Sequence, residues 1–255
     1  YIFAAAMRRR YFIYLSFKGT GFHGWQIQPN GTSVQQELEN ALGILLQEKV
    51  AVSGAGRTDA GVHAKLMIAH FETDKNIVND KFIYNLNNVL CNSISIISLR
   101  EVKSDFHARF DALNRTYHYC ISPQKDPFHF DLTHQYKHQI NIELMNSAAK
   151  LLLGKKDFSC FSKSKAQTFT KDCEVLNAEW KKRGDLFVFE IKANRFLRNM
   201  VRAVVGTLLE VNEGKRSIEG IPELIASKNR SDAGVSVPAK GLFLVDIEYP
   251  ATGFI

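Results

Sequence analysis

The chain has 255 residues of ordinary globular composition, 45% hydrophobic and 23% charged, enough for two core-bearing domains or one large one. No apolar run approaches the ~20 residues that cross a bilayer, and no signal-peptide pattern is present, so no membrane role is expected and the cytoplasm is the expected compartment. A formal net charge of +7 favours an anionic partner without naming one.

Residues 1–6, ahead of Met7, read as upstream sequence outside the fold. Tyr11 to Phe17 is aromatic and β-branched enough for a strand. Gly19, Gly21 and Gly24 open a loop holding His23, Trp25, Gln26 and Gln28, with Trp25 read as core. Ser33 with Gln36, or Thr32 with Gln35, has capping-box spacing. Val34, Leu38, Ala41, Leu42, Leu45 and Leu46 then give the stripe of a helix packed on a sheet. Lys49 to Val52 and Leu66 to Phe71 read as two strands joined by the loop Ser53 to Ala64, with three glycines in eight positions around Arg57, Thr58 and Asp59. A turn in which Arg57 and Asp59 merely pair rarely needs that density. The glycines are spaced wrongly for a dinucleotide site, and no Gly-Lys-Ser or Gly-Lys-Thr follows to make a phosphate loop.

Ile77 to Leu90 reads as a second helix, with Phe82, Leu86, Val89 and Leu90 on one side, and Ile94 to Val102 as a strand. The first half is thus α+β, a β-α-β-β-α-β ferredoxin-like arrangement, placed at 7–113. Phe106 to Ala112 reads as a polar hinge before a second half at 114–250. Arg115, Tyr117 and Tyr119 share one face of the next strand. Leu144 to Leu153 reads as a helix closed by Gly154, and Asp157 to Ser162 with the lysines behind it as mobile and exposed. A hairpin turns at Arg183-Gly184-Asp185. Phe196 to Val211 reads as a helix, Phe196, Met200, Val204 and Leu208 forming one column and Arg198 and Arg202 another. Ser217 to Ser227 is a short helix and Gly241 to Tyr249 a closing strand.

Charge clusters late in the chain. Lys192, Arg195, Arg198 and Arg202 occur without an acid between them. From Lys155 to Arg183 eight cations outnumber four acids, with Phe158, Phe161, Phe169 and Trp180 interspersed. Cations among aromatics suit an RNA or DNA backbone and unstacked bases, and a solvated basic face gives the same count. Cys91, Cys120, Cys160 and Cys173 include no Cys-x-x-Cys pair and read as buried free thiols. Phe128-His129-Phe130 and Thr133-His134 lack carboxylates at ligand spacing, so no metal site is expected.

The segment Gly56-Arg57-Thr58-Asp59-Ala60-Gly61-Val62-His63-Ala64 resembles the signature of the TruA family of tRNA pseudouridine synthases. Further segments resemble that family's motifs in the same order: Phe22-His23-Gly24-Trp25-Gln26, Phe106 to Tyr119, Phe196 to Arg202, and the closing strand around Leu244. Two departures stand out. The family's usual Ala-Gly-x-Thr-Ala-Pro is here Ala233-Gly234-Val235-Ser236-Val237-Pro238, and its Thr-x-Arg after the lysine-rich loop is replaced by Thr170-Lys171-Asp172-Cys173.

The resemblance implies a pseudouridine synthase fold, two ferredoxin-like halves around a basic active-site cleft. It implies a homodimer that isomerises uridines at positions 38, 39 and 40 of the tRNA anticodon stem-loop. It makes Asp59 the nucleophile, lays Tyr117 against the base as the candidate acceptor of the C5 proton, and pairs Arg202 with Asp59. Arg57, Arg115, Arg198, His63 and Leu244 are expected at the substrate, His63 rather as a brace of the loop than as a reactant. Isomerisation needs no cofactor and no metal. Two other classes stay open on the residues alone: an RNA-binding module without chemistry, and a metal hydrolase using Asp59 as a ligand.

Overall fold

The computed structural model describes residues 8–163 and 170–255, arranged as two compact units. The first runs to Leu113 and takes back Asp246–Ile255; the second is Asn114–Val245. The closing strand, read from the sequence as the end of the second half, therefore returns the chain to the first unit at Asp246. Residues 1–7 and 164–169, which include Lys165 and Phe169, lie outside the described residues.

The first unit follows the order β1 (Arg9–Phe17), α1 (Val34–Leu46), β2 (Ser53–Gly54), β3 (His63–Thr73), α2 (Asn79–Val89) and β4 (Ile94–Val102). The strands lie β4-β1-β3-β2, each pair antiparallel, which is the ferredoxin-like order. Ser33 caps α1, its hydroxyl accepting the Gln36 N–H at 3.2 Å, and Val34, Leu38, Ala41, Leu42 and Leu46 are buried. Lys49 to Val52 is not a strand: regular pairing begins only at Ser53. At α2, Leu86 and the C-cap Leu90 of the expected column are buried, while Val89 departs from it at 41% exposure.

Phe106 to Ala112 is no polar hinge. Phe106 and Ala108 are buried, and the Phe106 ring stacks on Phe12 with centroids 5.0 Å apart. Tyr249 and Phe254 from the returning tail close over the pair, with centroids 5.1 Å from Phe12 and 5.4 Å from Phe106 respectively. The polar residues in between serve the backbone: His70 Nδ1 accepts the Ala108 N–H at 3.1 Å, and the Asp111 carboxylate accepts the His107 N–H at 2.6 Å. Burial, with the neighbouring His107 and Arg10, lowers the His70 pKa to about 4.

The second unit contains β5 (Asn114–Ser122), β6 (His134–Gln135), α3 (Ile142–Lys150), β7 (Gly154–Asp157), β8 (Asp172–Arg183), β9 (Leu186–Ala193), α4 (Met200–Asn212), α5 (Gly220–Ser227) and β10 (Leu242–Glu248). Its strands lie β10-β5-β9-β8-β7, with β6 parallel beside β5. Without the short β6 and β7 and without α5, the succession β5-α3-β8-β9-α4-β10 repeats the plan of the first unit in the same spatial order. Trp180, Phe189 and Tyr119 lie across one another on the helix-covered face and are buried. The Asn146 side chain of α3 locks that helix to β8 by bonding both the N–H and the carbonyl of Trp180.

Two expectations in this unit fail. Phe158, Cys160 and Phe161 are fully buried around a three-residue 3-10 turn, so Asp157 to Ser162 is core and not an exposed segment. With Trp180 also buried, none of these three aromatics is available for stacking on bases. Of the four cysteines only Cys160 and Cys173 are buried, and burial raises both thiol pKa values; Cys91 is exposed.

Candidate active site

The Asp59 loop spans the gap between β2 and β3, and its shape is set by a second loop laid across it. Trp25 N–H bonds the Thr58 carbonyl at 3.2 Å, and Gly61 N–H bonds the Phe22 carbonyl at 3.3 Å. Gly24 makes this approach possible, with φ +91° and room for no side chain: a Cβ would sit 2.4 Å from the Thr58 oxygen and 3.1 Å from the Asp59 carbonyl carbon. Gly19 is equally tight against Val62, whose oxygen would lie 2.0 Å from an added Cβ. The two glycine loops are thus clasped main chain to main chain, and Trp25, 3% exposed, is core as expected. Within the loop the Val62 N–H bonds the Asp59 carbonyl at 3.2 Å and closes a turn around the carboxylate residue.

His63 is buried, and its Nδ1 accepts the Gly19 N–H at 3.0 Å, which places the ring proton on Nε2. It therefore ties the two loops together and does not present its ring to RNA. Leu244, also expected at the substrate, is buried in β10 at 1% exposure. Of the loop's charged side chains, Arg57 is exposed and Asp59 is half-buried.

In the second unit Tyr117 stands half-buried in β5, with Phe196 edge-on to its ring at 5.0 Å. Two residues along, Tyr119 is fully buried and its hydroxyl donates to the Pro238 carbonyl at 2.9 Å; burial raises its pKa well above the usual phenol range. Arg115 holds the Asn194 carbonyl at 2.9 Å. The helix expected from Phe196 begins instead at Met200, because Asn199 adopts a left-handed conformation with φ +67°. Phe196 and Arg198 thus precede α4, and neither belongs to a helical column. Arg198 is exposed, and its carbonyl accepts the Lys163 N–H at 3.0 Å. Arg195 reaches Thr170 Oγ1 at 3.0 Å, so both flanks of stretch 164–169 are fastened to the segment leading into α4.

Arg202 occupies the first turn of α4 and is half-buried. Its Nε donates to the Val237 carbonyl at 2.7 Å, and Val237 N–H returns a bond to the Arg202 carbonyl at 3.2 Å. The loop Ala233 to Pro238 is itself held at several points. Ser236 Oγ meets Asn199 Nδ2 at 2.6 Å and Arg230 at 2.8 Å, and Gly234 N–H bonds Thr207 Oγ1 at 2.9 Å. Gly206 lies so close to this loop that a Cβ there would be 1.9 Å from the Val235 oxygen. Asn199, Arg230 and Gly206 were not singled out in the sequence. Their only signal is a glycine in the middle of an apolar helix, where it costs about 1 kcal/mol relative to alanine and so needs a packing reason.

Among the described residues no group of three or more His, Cys, Asp or Glu side chains is placed to hold a metal ion. His129 does have a carboxylate, Asp126, at 2.6 Å, contrary to the expectation of none at that spacing. No helix among these residues is long and apolar enough to cross a membrane.

Two β-α-β-β-α-β units, one presenting an aspartate on a clasped glycine loop and the other an arginine at a helix start, define the class. Comparison with known proteins agrees. A family model described as tRNA pseudouridine synthase matches residues 148–250. A protein of Parabacteroides distasonis named tRNA pseudouridine synthase A is 49% identical over 243 residues, covering 95% of this chain and 96% of its own length. Proteins of the same name from Bacteroides thetaiotaomicron and Brevibacillus brevis are 48% and 40% identical, covering 95% and 92% of this chain and 91% and 97% of their own lengths. The chain belongs to the tRNA pseudouridine synthase family.

Proposed function

We propose that this protein isomerises uridine to pseudouridine in the anticodon stem-loop of tRNA, at positions 38, 39 and 40, with Asp59 as the nucleophile. The observation that carries this reading is the clasped loop, which spends two close main-chain approaches and a buried histidine on fixing one half-buried carboxylate beside the exposed Arg57. An RNA-binding module without chemistry has no use for that construction. A metal hydrolase would need further carboxylates grouped around Asp59.

The reaction breaks the bond from C1′ to N1 of the base and makes one from C1′ to C5. The C5 proton is lost and N1 gains one, so atoms balance without an oxidant or co-substrate. Asp59 forms a covalent intermediate that splits this exchange into two easier steps. Arg202 is the ion-pair partner of Asp59 in this reading, and such a pair needs both members present. The arginine's own aim is supported by the reciprocal bonds with Val237. Tyr117 stacks on the extruded base, supported edge-on by Phe196, and its phenol takes the C5 proton. Extruding the base costs a few kcal/mol, which phosphate contacts from Arg57, Arg115 and Arg198 offset. His63 and Leu244 support the site from behind. The protein works in the cytoplasm as a homodimer.

The test is tritium release from tRNA carrying 5-tritiated uridine. Wild type releases tritium with or without EDTA; Asp59→Asn binds tRNA but releases none. Release surviving in Asp59→Asn, or lost with EDTA, would sink the assignment.

A further inference from the structure

The aromatics expected to meet RNA, Phe158, Phe161 and Trp180, are buried, yet the second unit carries two others in the open. Phe128 is 86% exposed and Phe130 67% exposed, in the loop between β5 and β6. The loop is braced from within. The Asp126 carboxylate accepts the Phe128 N–H at 2.8 Å and holds His129 Nδ1 at 2.6 Å, while the Thr133 hydroxyl donates to the His129 carbonyl at 3.0 Å. Its tip is fastened by Lys240, whose Nζ donates to the Phe130 carbonyl at 2.7 Å and lies 4.4 Å from the centre of the Phe130 ring. Lys240 lies two residues after Pro238, in the turn that follows the Val237 and Pro238 carbonyls holding Arg202 and Tyr119. The two exposed rings are therefore anchored to the same turn that aims the site arginine.

We propose that Phe128 and Phe130 form a stacking platform for an unpaired nucleotide of the tRNA, next to the uridine being modified; this rests on the function proposed above. Two phenyl rings held in water by a rigid loop gain little until something flat covers them, and every base has such a face. Paired bases inside a stem cannot offer it, so the platform selects the loop side of the anticodon arm. The charge at Lys240 beside the ring suits the phosphate of a stacked nucleotide. A second copy of this chain seated on the rings is the rival occupant, and oligomeric state separates the two.

The experiment compares wild type, Phe128→Ala/Phe130→Ala and Phe130→Trp. Filter binding uses a tRNA transcript with cytidine in place of the target uridines, so that nothing turns over, across a salt series; tritium release is measured on the normal substrate. The double alanine variant is expected to bind about tenfold more weakly and to lose activity through KM rather than kcat. The slope of log affinity against log salt should not change, because no phosphate contact is removed. Phe130→Trp should bind at least as tightly as wild type. Unchanged affinity in the double variant would overturn the proposal. So would a dimer falling to monomers in sedimentation, which would make the rings a subunit contact. Failure of the wild type itself to bind tRNA would overturn the proposed function, and this inference with it.

Discussion

In the first unit Asp59 is positioned by main chain. Gly19 and Gly24 let one loop lie against another at distances that leave no room for a methyl group, and the hydrogen bonds between them run largely from backbone to backbone. In the second unit Arg202 is positioned by bonds that involve side chains, its own to the Val237 carbonyl and those of Asn199, Arg230 and Thr207 to the loop from Ala233 to Pro238. A main-chain clasp is indifferent to which side chains surround it but fails once a Cβ is inserted. A side-chain lattice survives changes at any position that contributes only its carbonyl. That contrast accounts for where this sequence departs from the family pattern. Ser236 keeps the hydroxyl that Asn199 and Arg230 require, and Val237 contributes main-chain atoms to Arg202, so its side chain can differ.

Gly24→Ala should have the largest effect. The new methyl meets the Thr58 oxygen at 2.4 Å on a backbone with φ +91°, so strain and overpacking add to about 3 kcal/mol. Tritium release should fall to background, and the melting temperature should drop. An active, stable Gly24→Ala protein would show that the clasp does not fix Asp59.

Acid sensitivity probes the same unit at a distance from the loop. Buried neutral His70, with a pKa lowered to about 4, supports Ala108 by accepting its N–H. Between pH 4 and 6.5 the unfolded chain binds a proton here that the folded chain does not. Stability is thus complete above about pH 6.5 and falls as the pH drops, by about 3 kcal/mol near pH 4. Urea unfolding at pH 7.5 and 4.5 should show the loss. His70→Asn, which retains an acceptor for Ala108, should flatten it.

Gly206→Ala tests the second unit by the sign of the effect. Helix propensity alone predicts stabilisation of about 1 kcal/mol. The Val235 oxygen at 1.9 Å predicts the reverse, a net loss of about 2 kcal/mol with displacement of the loop that holds Arg202. Chemical denaturation decides between them.

Much of this was readable in advance, for reasons that individual residues make plain. Ile94 to Val102 is rich in β-branched residues and forms a strand over that span, and the Asp59 loop announces itself because close main-chain packing requires glycine. The failures share a cause: contact with distant residues overrides local pattern. Phe196 continues the spacing of Met200, Val204 and Leu208, yet left-handed Asn199 breaks the helix between them, and asparagine tolerates that conformation more readily than most residues. Phe158 and Phe161 lie among lysines and lack periodicity, which reads as exposure, whereas a single 3-10 turn turns both rings inward. The polar letters of Phe106 to Ala112 read as a hinge because the tail that buries the segment, with Tyr249 and Phe254, is more than a hundred residues away in sequence. Nothing local to Val237 shows that its carbonyl holds Arg202.

Neighbours in the Ala233 to Pro238 loop give the finest test. Ser236→Ala removes two hydrogen bonds, to Asn199 at 2.6 Å and Arg230 at 2.8 Å, and leaves their donors to find other partners. It should cost about 1–2 kcal/mol and lower kcat several-fold, because Asn199 stands where α4 begins and Arg202 lies one turn further on. Val237→Ala deletes two buried methyl groups and should cost a similar amount, about 1.5 kcal/mol. Its carbonyl and N–H remain in place for Arg202, so kcat should stay within about twofold of wild type. Equal stability loss with unequal activity loss separates the aim of the arginine from the packing of the loop. If both variants lost activity in proportion to stability, Arg202 would depend on the loop as a packed body rather than on those two bonds.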